Sequence, residues 1–139
     1  MKKITILCLL LLLFSCEDTL DQTEALGENT GIVGTWVERE LKNDVSVLSR
    51  EETLDSTRYG FRIMKDGSFV ERANAGWCGT PPISYSNYDG TWEALSDSLL
   101  EITVGYWGGV KTYQMRIVSV DADSLRIRYL WAENMTDAR

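Results

Sequence analysis

The sequence contains no histidine, and this absence removes the commonest general base and the commonest metal ligand of proteins. Ser-His-Asp and Cys-His catalysis are therefore excluded. Basic residues are also few, since 14 Lys and Arg stand against 21 Asp and Glu, for a formal net charge of -7. Binding to nucleic acid needs clustered positive charge, so nucleic acid is excluded as a partner.

No apolar run in the chain is long enough to span a membrane as a helix. The longest follows the basic start Lys2-Lys3 and covers residues 4–14, far short of the ~20 residues that cross a bilayer. A basic start and an apolar run of this length are typical of a secretory signal peptide. We therefore assign residues 1–15 to a signal peptide and exclude them from the fold.

The apolar run closes in Leu13-Phe14-Ser15-Cys16, which resembles the lipobox of bacterial lipoproteins. The resemblance implies cleavage before Cys16 and attachment of a diacylglycerol, and usually an N-acyl chain such as palmitate, to that cysteine. Each buried CH2 contributes about 0.8 kcal/mol, so several acyl chains hold a soluble domain on a membrane. The alternative is a signal peptide with a chance cysteine at its end.

Residues 16–31 are mostly acidic or small and polar, with too few apolar side chains to bury, and they predict a flexible tether. The pair Glu17-Asp18 is similar to signals that send some Gram-negative lipoproteins to the outer face of the outer membrane. The predicted location is therefore the cell envelope, at the outer membrane and on its surface if this signal operates. An ordinary solvated linker is the other interpretation of the pair.

Short alternating segments from residue 32 to residue 133 predict an all-β domain, followed by a tail at 134–139. Turn signals at Asn43-Asp44 and at residues 65–67 separate the segments. The count is about eight strands with short connections, the pattern of an antiparallel up-and-down β-barrel. One face of the strands is expected to carry Tyr59, Phe61, Ile63, Phe69, Glu71, Leu100, Ile102, Val104, Tyr113, Met115, Ile117, Leu125, Ile127, Tyr129 and Trp131.

Two Gly-Thr-Trp triplets, at residues 34–36 and 90–92, mark the strands. In lipocalins a Gly-x-Trp near the start of the first strand places its indole across the closed end of a barrel, and residues 34–36 have that position. The domain is thus similar to a small lipocalin-like domain, without the C-terminal helix of full lipocalins. The second triplet indicates either an internal duplication or a second strand that enters the barrel in the same way, and both tryptophans can be core residues.

Residues 75–86 carry both prolines and two glycines and predict a long loop, a common location for function. Cys78 in this loop is the single free thiol once the signal peptide is removed and Cys16 is lipidated. No histidine is present to activate it, so we expect Cys78 to be a small buried residue under the loop and not a nucleophile.

Five aromatic residues lie in or beside the two loops that interrupt the alternation: Trp77, Tyr85, Tyr88, Tyr106 and Trp107. At a barrel mouth, such side chains stack on a sugar or hold an apolar ligand, or they form the lid of the core. The sequence thus predicts a membrane-anchored lipoprotein that binds a small apolar or aromatic-compatible ligand, with no catalytic residue, metal or cofactor. The alternative is a non-enzymatic accessory module of an envelope complex, with a barrel filled by its own side chains.

Overall fold

Eight antiparallel strands close into a barrel in the computed structural model, which describes residues 31–131. The predicted signal peptide, Cys16, the tether before residue 31 and the tail at 134–139 lie outside the described residues. The strands are β1 (Gly34–Lys42), β2 (Val45–Glu51), β3 (Gly60–Ile63), β4 (Ser68–Asn74), β5 (Tyr85–Ser96), β6 (Leu99–Tyr106), β7 (Gly109–Val120) and β8 (Ser124–Leu130). The predicted all-β barrel of eight antiparallel strands is confirmed, and it is consistent with a lipocalin-like domain.

The strand order departs from a strict up-and-down barrel at one hairpin. Strands β3 to β8 follow one another around the barrel, but β1 pairs with β3, and β2 pairs with β8. Residues 52–59 therefore cross β1 on their way from β2 to β3. Val37 is fully buried outside the interior core, and a Cβ on Gly60 would lie 3.2 Å from Leu54. The crossing segment thus covers the outer face of the barrel at this point.

The tight turns form where the sequence predicts them. Asn43 and Asp44 have φ values of 51° and 61°, and Gly67 has a φ of 85°, all in the left-handed region that Asn, Asp and Gly accept most readily. The loop between β4 and β5 is shorter than predicted, because β5 begins at Tyr85. The turn between β6 and β7 consists of residues 107–108, since pairing continues through Tyr106 and Gly109.

The predicted apolar face of each strand points into the barrel. Phe61 and Phe69 stack there with ring centroids 5.5 Å apart. The interior core consists of Ile32, Trp36, Leu48, Phe61, Ile63, Phe69, Trp92, Leu100, Ile102, Val104, Tyr113, Met115, Ile117, Leu125 and Ile127. Between residues 31 and 131, no helix has the length and hydrophobicity needed to cross a membrane.

Trp36 seals one end of the barrel, which we call the closed end and which carries the turns at 64–67, 97–98 and 121–123. Its indole Nε1 donates to Ile32 O at 2.6 Å, and the Arg50 guanidinium lies 4.2 Å above the ring. Arg50 also donates to the carbonyls of Gly31 and Val33. Gly34 has a φ of 146°, a backbone conformation that residues with a Cβ rarely adopt, so this position favours glycine.

Trp92 reaches the same closed end from the opposite direction. Its Nε1 donates to Met64 O at 2.7 Å in the turn between β3 and β4. The order of antiparallel neighbours makes β5 run toward the closed end, whereas β1 starts there. The interpretation that both Gly-Thr-Trp strands enter the barrel in the same way is therefore wrong. Gly90 is required for a different reason from Gly34, because a Cβ would lie 2.8 Å from Val104 on β6.

Candidate functional site

The opposite end of the barrel, which we call the mouth, carries residues 43–44, 75–84 and 107–108 and opens into a cavity. The cavity has a volume of about 230 Å³. It lies above the packed core, where interior positions near the mouth ends of β1, β2, β4, β7 and β8 converge. Its lining residues are Glu38, Leu41, Ser46, Tyr59, Glu71, Lys111, Tyr129 and Trp131.

Glu71 is buried in the cavity floor, with 1% of its surface exposed. Its Oε1 accepts hydrogen bonds from the hydroxyls of Tyr59 and Tyr113, each at 2.9 Å. Its Oε2 lies 2.6 Å from the Lys111 ammonium. Tyr129 extends the network by donating to the Tyr59 hydroxyl at 3.0 Å. Oε1 is thus hydrogen-bonded and Oε2 is in an ion pair with Lys111, although the angle between Oε2 and the ammonium is not that of a hydrogen bond.

Burial raises the pKa of Tyr59, Tyr113 and Tyr129 well above the usual tyrosine range. The negative charge of Glu71 adds to this rise in all three, because it disfavours a second anion nearby. For Tyr129, the hydrogen bond to Tyr59 opposes the rise, and the carboxylate of Glu38 supports it. The network is therefore built to hold three neutral phenols around one carboxylate.

These raised pKa values predict a loss of stability in alkali. Below about pH 10 the three phenols are neutral in both states; above it, only the unfolded chain releases their protons. We expect the free energy of unfolding to fall above that pH by up to about 1.4 kcal/mol per pH unit for each phenol. Urea unfolding at a series of pH values measures the fall, and tyrosinate absorbance counts the ionised phenols. If all six tyrosines ionise together near the usual pKa in the folded protein, the prediction is wrong.

Two polar groups in the cavity stand apart from the Glu71 network. Ser46 is 1% exposed, and its Oγ has no hydrogen-bond partner within residues 31–131. Glu38 is half-buried and forms no ion pair within the same residues. A buried hydroxyl without a partner costs free energy, which a bound ligand with a matching polar group would recover.

The rim of the cavity is aromatic and apolar. Trp131 stacks on Tyr129 with ring centroids 6.2 Å apart and is tilted against Tyr113 at 5.2 Å, while 46% of Trp131 stays exposed. A neighbouring surface groove of about 330 Å³ shares Leu41, Tyr129 and Trp131 with the cavity. The cavity therefore continues outward onto the rim along one side.

No family model matches this chain, and no curated protein or solved structure matches it. The fold assignment therefore rests on the barrel itself and the site assignment on its geometry. Within residues 31–131, no group of three or more His, Cys, Asp or Glu side chains is placed to hold a metal ion.

The five aromatic residues predicted as a ligand site all lie at the mouth end, but none of them lines the cavity. Trp77 is 81% exposed on the loop between β4 and β5, and Trp107 is 53% exposed on the turn after β6, in edge contact with Tyr106. Tyr88 donates to Asn74 O at 3.0 Å and packs against the core, and Tyr85 begins β5. The cavity thus lies at the end of the barrel that carries the five aromatic residues, but other side chains line the cavity.

Sequence reasoning did not assign the cavity residues to a site, although it expected Tyr59, Glu71, Tyr129 and Trp131 on the inward face. Glu71 occupies an interior position of β4 two residues after Phe69, where an acidic residue is unexpected unless it has partners. Tyr59, Tyr113 and Tyr129 also occupy interior positions, near the mouth ends of their segments. A search for polar atoms on the predicted apolar face would have found the network, but not Ser46 or Glu38.

Cys78 is exposed, so the prediction that it is buried under the loop is wrong. The loop between β4 and β5 projects from the barrel: a Cβ on Gly76 or on Gly79 would meet no atom within 4 Å. Hydrogen bonds from the side chain and the backbone of Thr80 lower the pKa of the Cys78 thiol by stabilising the thiolate. The thiol therefore faces solvent, away from the cavity lining.

Proposed function

We propose that this protein is a membrane-anchored lipoprotein whose lipocalin-like barrel binds a small ligand non-covalently in the mouth cavity. The observation that carries the proposal is Ser46, which lines the open cavity and whose buried hydroxyl has no hydrogen-bond partner in the described part of the chain. The Glu71 network occupies the floor beneath, and the aromatic rim with Ser46 lines the space above it. We assign no residue a catalytic role and no cofactor to the site.

The size of the cavity limits the ligand. Sites for drug-sized molecules span about 300–1,000 Å³, and the 230 Å³ here falls below that range. Beneath the floor, Trp36, Phe61 and Met115 fill the barrel and leave no path for a long acyl chain through the described core. A compact molecule with an apolar or aromatic body, packed against Tyr129 and Trp131, fits this shape.

A second function is favoured by the exposed apolar side chains around the mouth. Six of them lie on strand ends or loops at this end of the barrel: Leu41, Trp77, Ile83, Trp107, Val110 and Trp131. Exposed apolar residues concentrated at one end are typical of a protein interface, where aromatic anchors contribute most of the affinity. This observation supports the alternative of an accessory module of an envelope complex.

Native mass spectrometry of protein released from its own envelope tests the ligand proposal. We expect the wild type to retain an adduct smaller than a phospholipid. Ser46→Leu should lose it, because the larger side chain occupies the cavity. Ser119→Leu is the matched control, since Ser119 is exposed on β7 toward the closed end. A wild type without any such adduct, but with a protein bound, would favour the interaction module instead.

The proposed anchor rests on the lipobox resemblance and is tested separately. Replacing Cys16 with Ser removes the thiol that would carry the diacylglycerol, so we expect the protein to leave the membrane fraction and lose palmitate label. Fractionation of cells fed labelled palmitate measures both. Cys78→Ser is the control and should change neither. Unchanged label and membrane binding in Cys16→Ser would show that the anchor assignment is wrong.

A further inference from the structure

We infer that the mouth cavity selects a small organic cation, a protonated amine with an apolar body. The inference rests on the proposed function, since it names the chemistry of the ligand for the same cavity. It depends on three features: the charge of the lining, the position of Glu38 relative to Ser46, and the aromatic faces around them.

The lining carries one negative charge in excess. Glu71 and Lys111 are 2.6 Å apart, so their charges largely cancel within the floor. Glu38 is the remaining charged residue of the lining, and it forms no ion pair within the described part of the chain. Because Glu38 is half-buried, its attraction for a cation is less screened than on an open surface.

Strand register places Glu38 and Ser46 on the same inner face. Glu38 pairs with Leu48 across β1 and β2, and Leu48 is a core residue. Ser46 precedes Leu48 by two residues, so its side chain points to the same side of the sheet. The direct partner of Ser46 is Leu41, because β1 carries a bulge between Glu38 and Glu40. An ammonium group paired with the Glu38 carboxylate would lie on the inner face that also carries Ser46. The Ser46 Oγ is closed off from solvent, so it would accept from this ammonium after its side chain rotates toward the cavity.

The aromatic rings favour a cation as well. Tyr59, Tyr129 and Trp131 line the cavity, and the electron-rich faces of such rings attract positive charge. The same rings offer apolar area to the body of the ligand. An amine with an aryl group therefore satisfies the carboxylate, the hydroxyl and the rim together.

The other ligand classes fit less well. An anion would approach Lys111, whose ammonium is already paired with Glu71, and it would be repelled by Glu38. A hydrocarbon would fill the rim but leave the Ser46 hydroxyl without a partner and the Glu38 charge desolvated. A cation leaves none of these groups unpaired.

Three probes of similar shape and different charge test the inference: phenethylamine, phenethyl alcohol and phenylacetate. Titrations of the mature barrel domain with its tether, followed by amide NMR shifts of the cavity residues, give the affinities. We expect phenethylamine to bind about tenfold more tightly than phenethyl alcohol, because a charge-assisted hydrogen bond is about twice as strong as a neutral one. Phenylacetate should bind most weakly.

Two variants and one control assign the selectivity to residues. Glu38→Gln should bring the affinity for phenethylamine down to that for phenethyl alcohol. Glu40→Gln removes the same charge from an exposed outer position on β1 and should change neither affinity. Ser46→Ala should weaken amine binding several-fold without lowering the free energy of unfolding of the free protein, since it removes a hydroxyl that has no partner.

The outcomes separate this inference from the proposed function. If phenethyl alcohol binds as tightly as phenethylamine, or if Glu38→Gln keeps the preference for the amine, selection of a cation is wrong while the small-ligand site stands. Tighter binding of phenylacetate also overturns the inference. If none of the three probes shifts the cavity residues, the inference fails, and the native mass measurement decides the proposed function independently.

Discussion

Replacing Glu71 with Ala is expected to lower the free energy of unfolding by about 3–5 kcal/mol, the cost of removing one partner from a buried ion pair. The change leaves the hydroxyls of Tyr59 and Tyr113 without their acceptor in the barrel interior. Each buried donor without a partner costs about 1–3 kcal/mol. Lys111 is 27% exposed and regains water, which favours the lower part of the range.

Two further variants show whether the network causes the loss. Glu71→Gln keeps the volume and one acceptor oxygen for the phenols but loses the ion pair, so we expect about half the effect of Glu71→Ala. Glu93→Ala removes an exposed glutamate from β5, and its free energy of unfolding should stay within about 0.5 kcal/mol of that of the wild type. Urea unfolding followed by tryptophan fluorescence measures all three. A loss below about 1 kcal/mol in Glu71→Ala would contradict a role for the network in stability.

The second large effect is expected at the closed end. Trp36→Ala should lower the free energy of unfolding by about 3–5 kcal/mol, as is typical when a buried large aromatic side chain is truncated. Trp36 is fully buried, and its loss also frees Ile32 O and removes the ring beneath Arg50. Ile32 and the residues before β1 would then lose their attachment to the barrel.

The matched control for Trp36 is Trp77, which is 81% exposed. Trp77→Ala removes the same side chain from the projecting loop and should change the free energy of unfolding by less than about 0.5 kcal/mol. Trp36→Phe should lower the free energy of unfolding by an amount between those of Trp36→Ala and Trp77→Ala, because it keeps an aromatic ring in the core but loses the Nε1 donor. Thermal and urea unfolding of the three variants give the comparison. Equal effects at the two tryptophans would contradict the closed end described above.

Much of the fold follows from local signals in the sequence. Alternation with a period of two fixes which side chains face the interior, and it assigned Phe69 and Glu71 to the same face of β4. The dihedral preferences of Asn43, Asp44 and Gly67 fix the positions of two hairpin turns. These features depend only on neighbours along the chain.

The order of the strands does not follow from such signals. Either β1 or β2 could pair with β3 and still turn its apolar side chains inward. Pairing uses backbone groups that every residue carries, so the side-chain pattern does not choose between the two strands. The chain resolves this by crossing β1 with residues 52–59 and covering Val37. Contacts between segments distant in sequence decide the order.

The candidate site also combines a feature that the local sequence predicted with features that only the pairing of distant strands decided. Aromatic residues in loops predicted function at the mouth end, and that end has the opening. The lining comes instead from strand positions such as Glu38, Ser46 and Lys111, which are far apart in sequence and meet only when the barrel closes. Cys78 shows that local signals can also be misread: its segment was predicted as a loop, and loops usually lie at the surface, yet the thiol was expected to be buried.

The sequence by itself determined an all-β chain, its turns, its inward faces and the lack of any histidine for catalysis, since each depends on residue type and local spacing. Only the tertiary structure decided that β1 lies beside β3 and that Glu71 is paired with Lys111 and two phenols. It also decided that the Ser46 hydroxyl has no hydrogen-bond partner among residues 31–131. These facts depend on which distant strands become neighbours, and closure of the barrel brings the apolar faces of those strands together in one core.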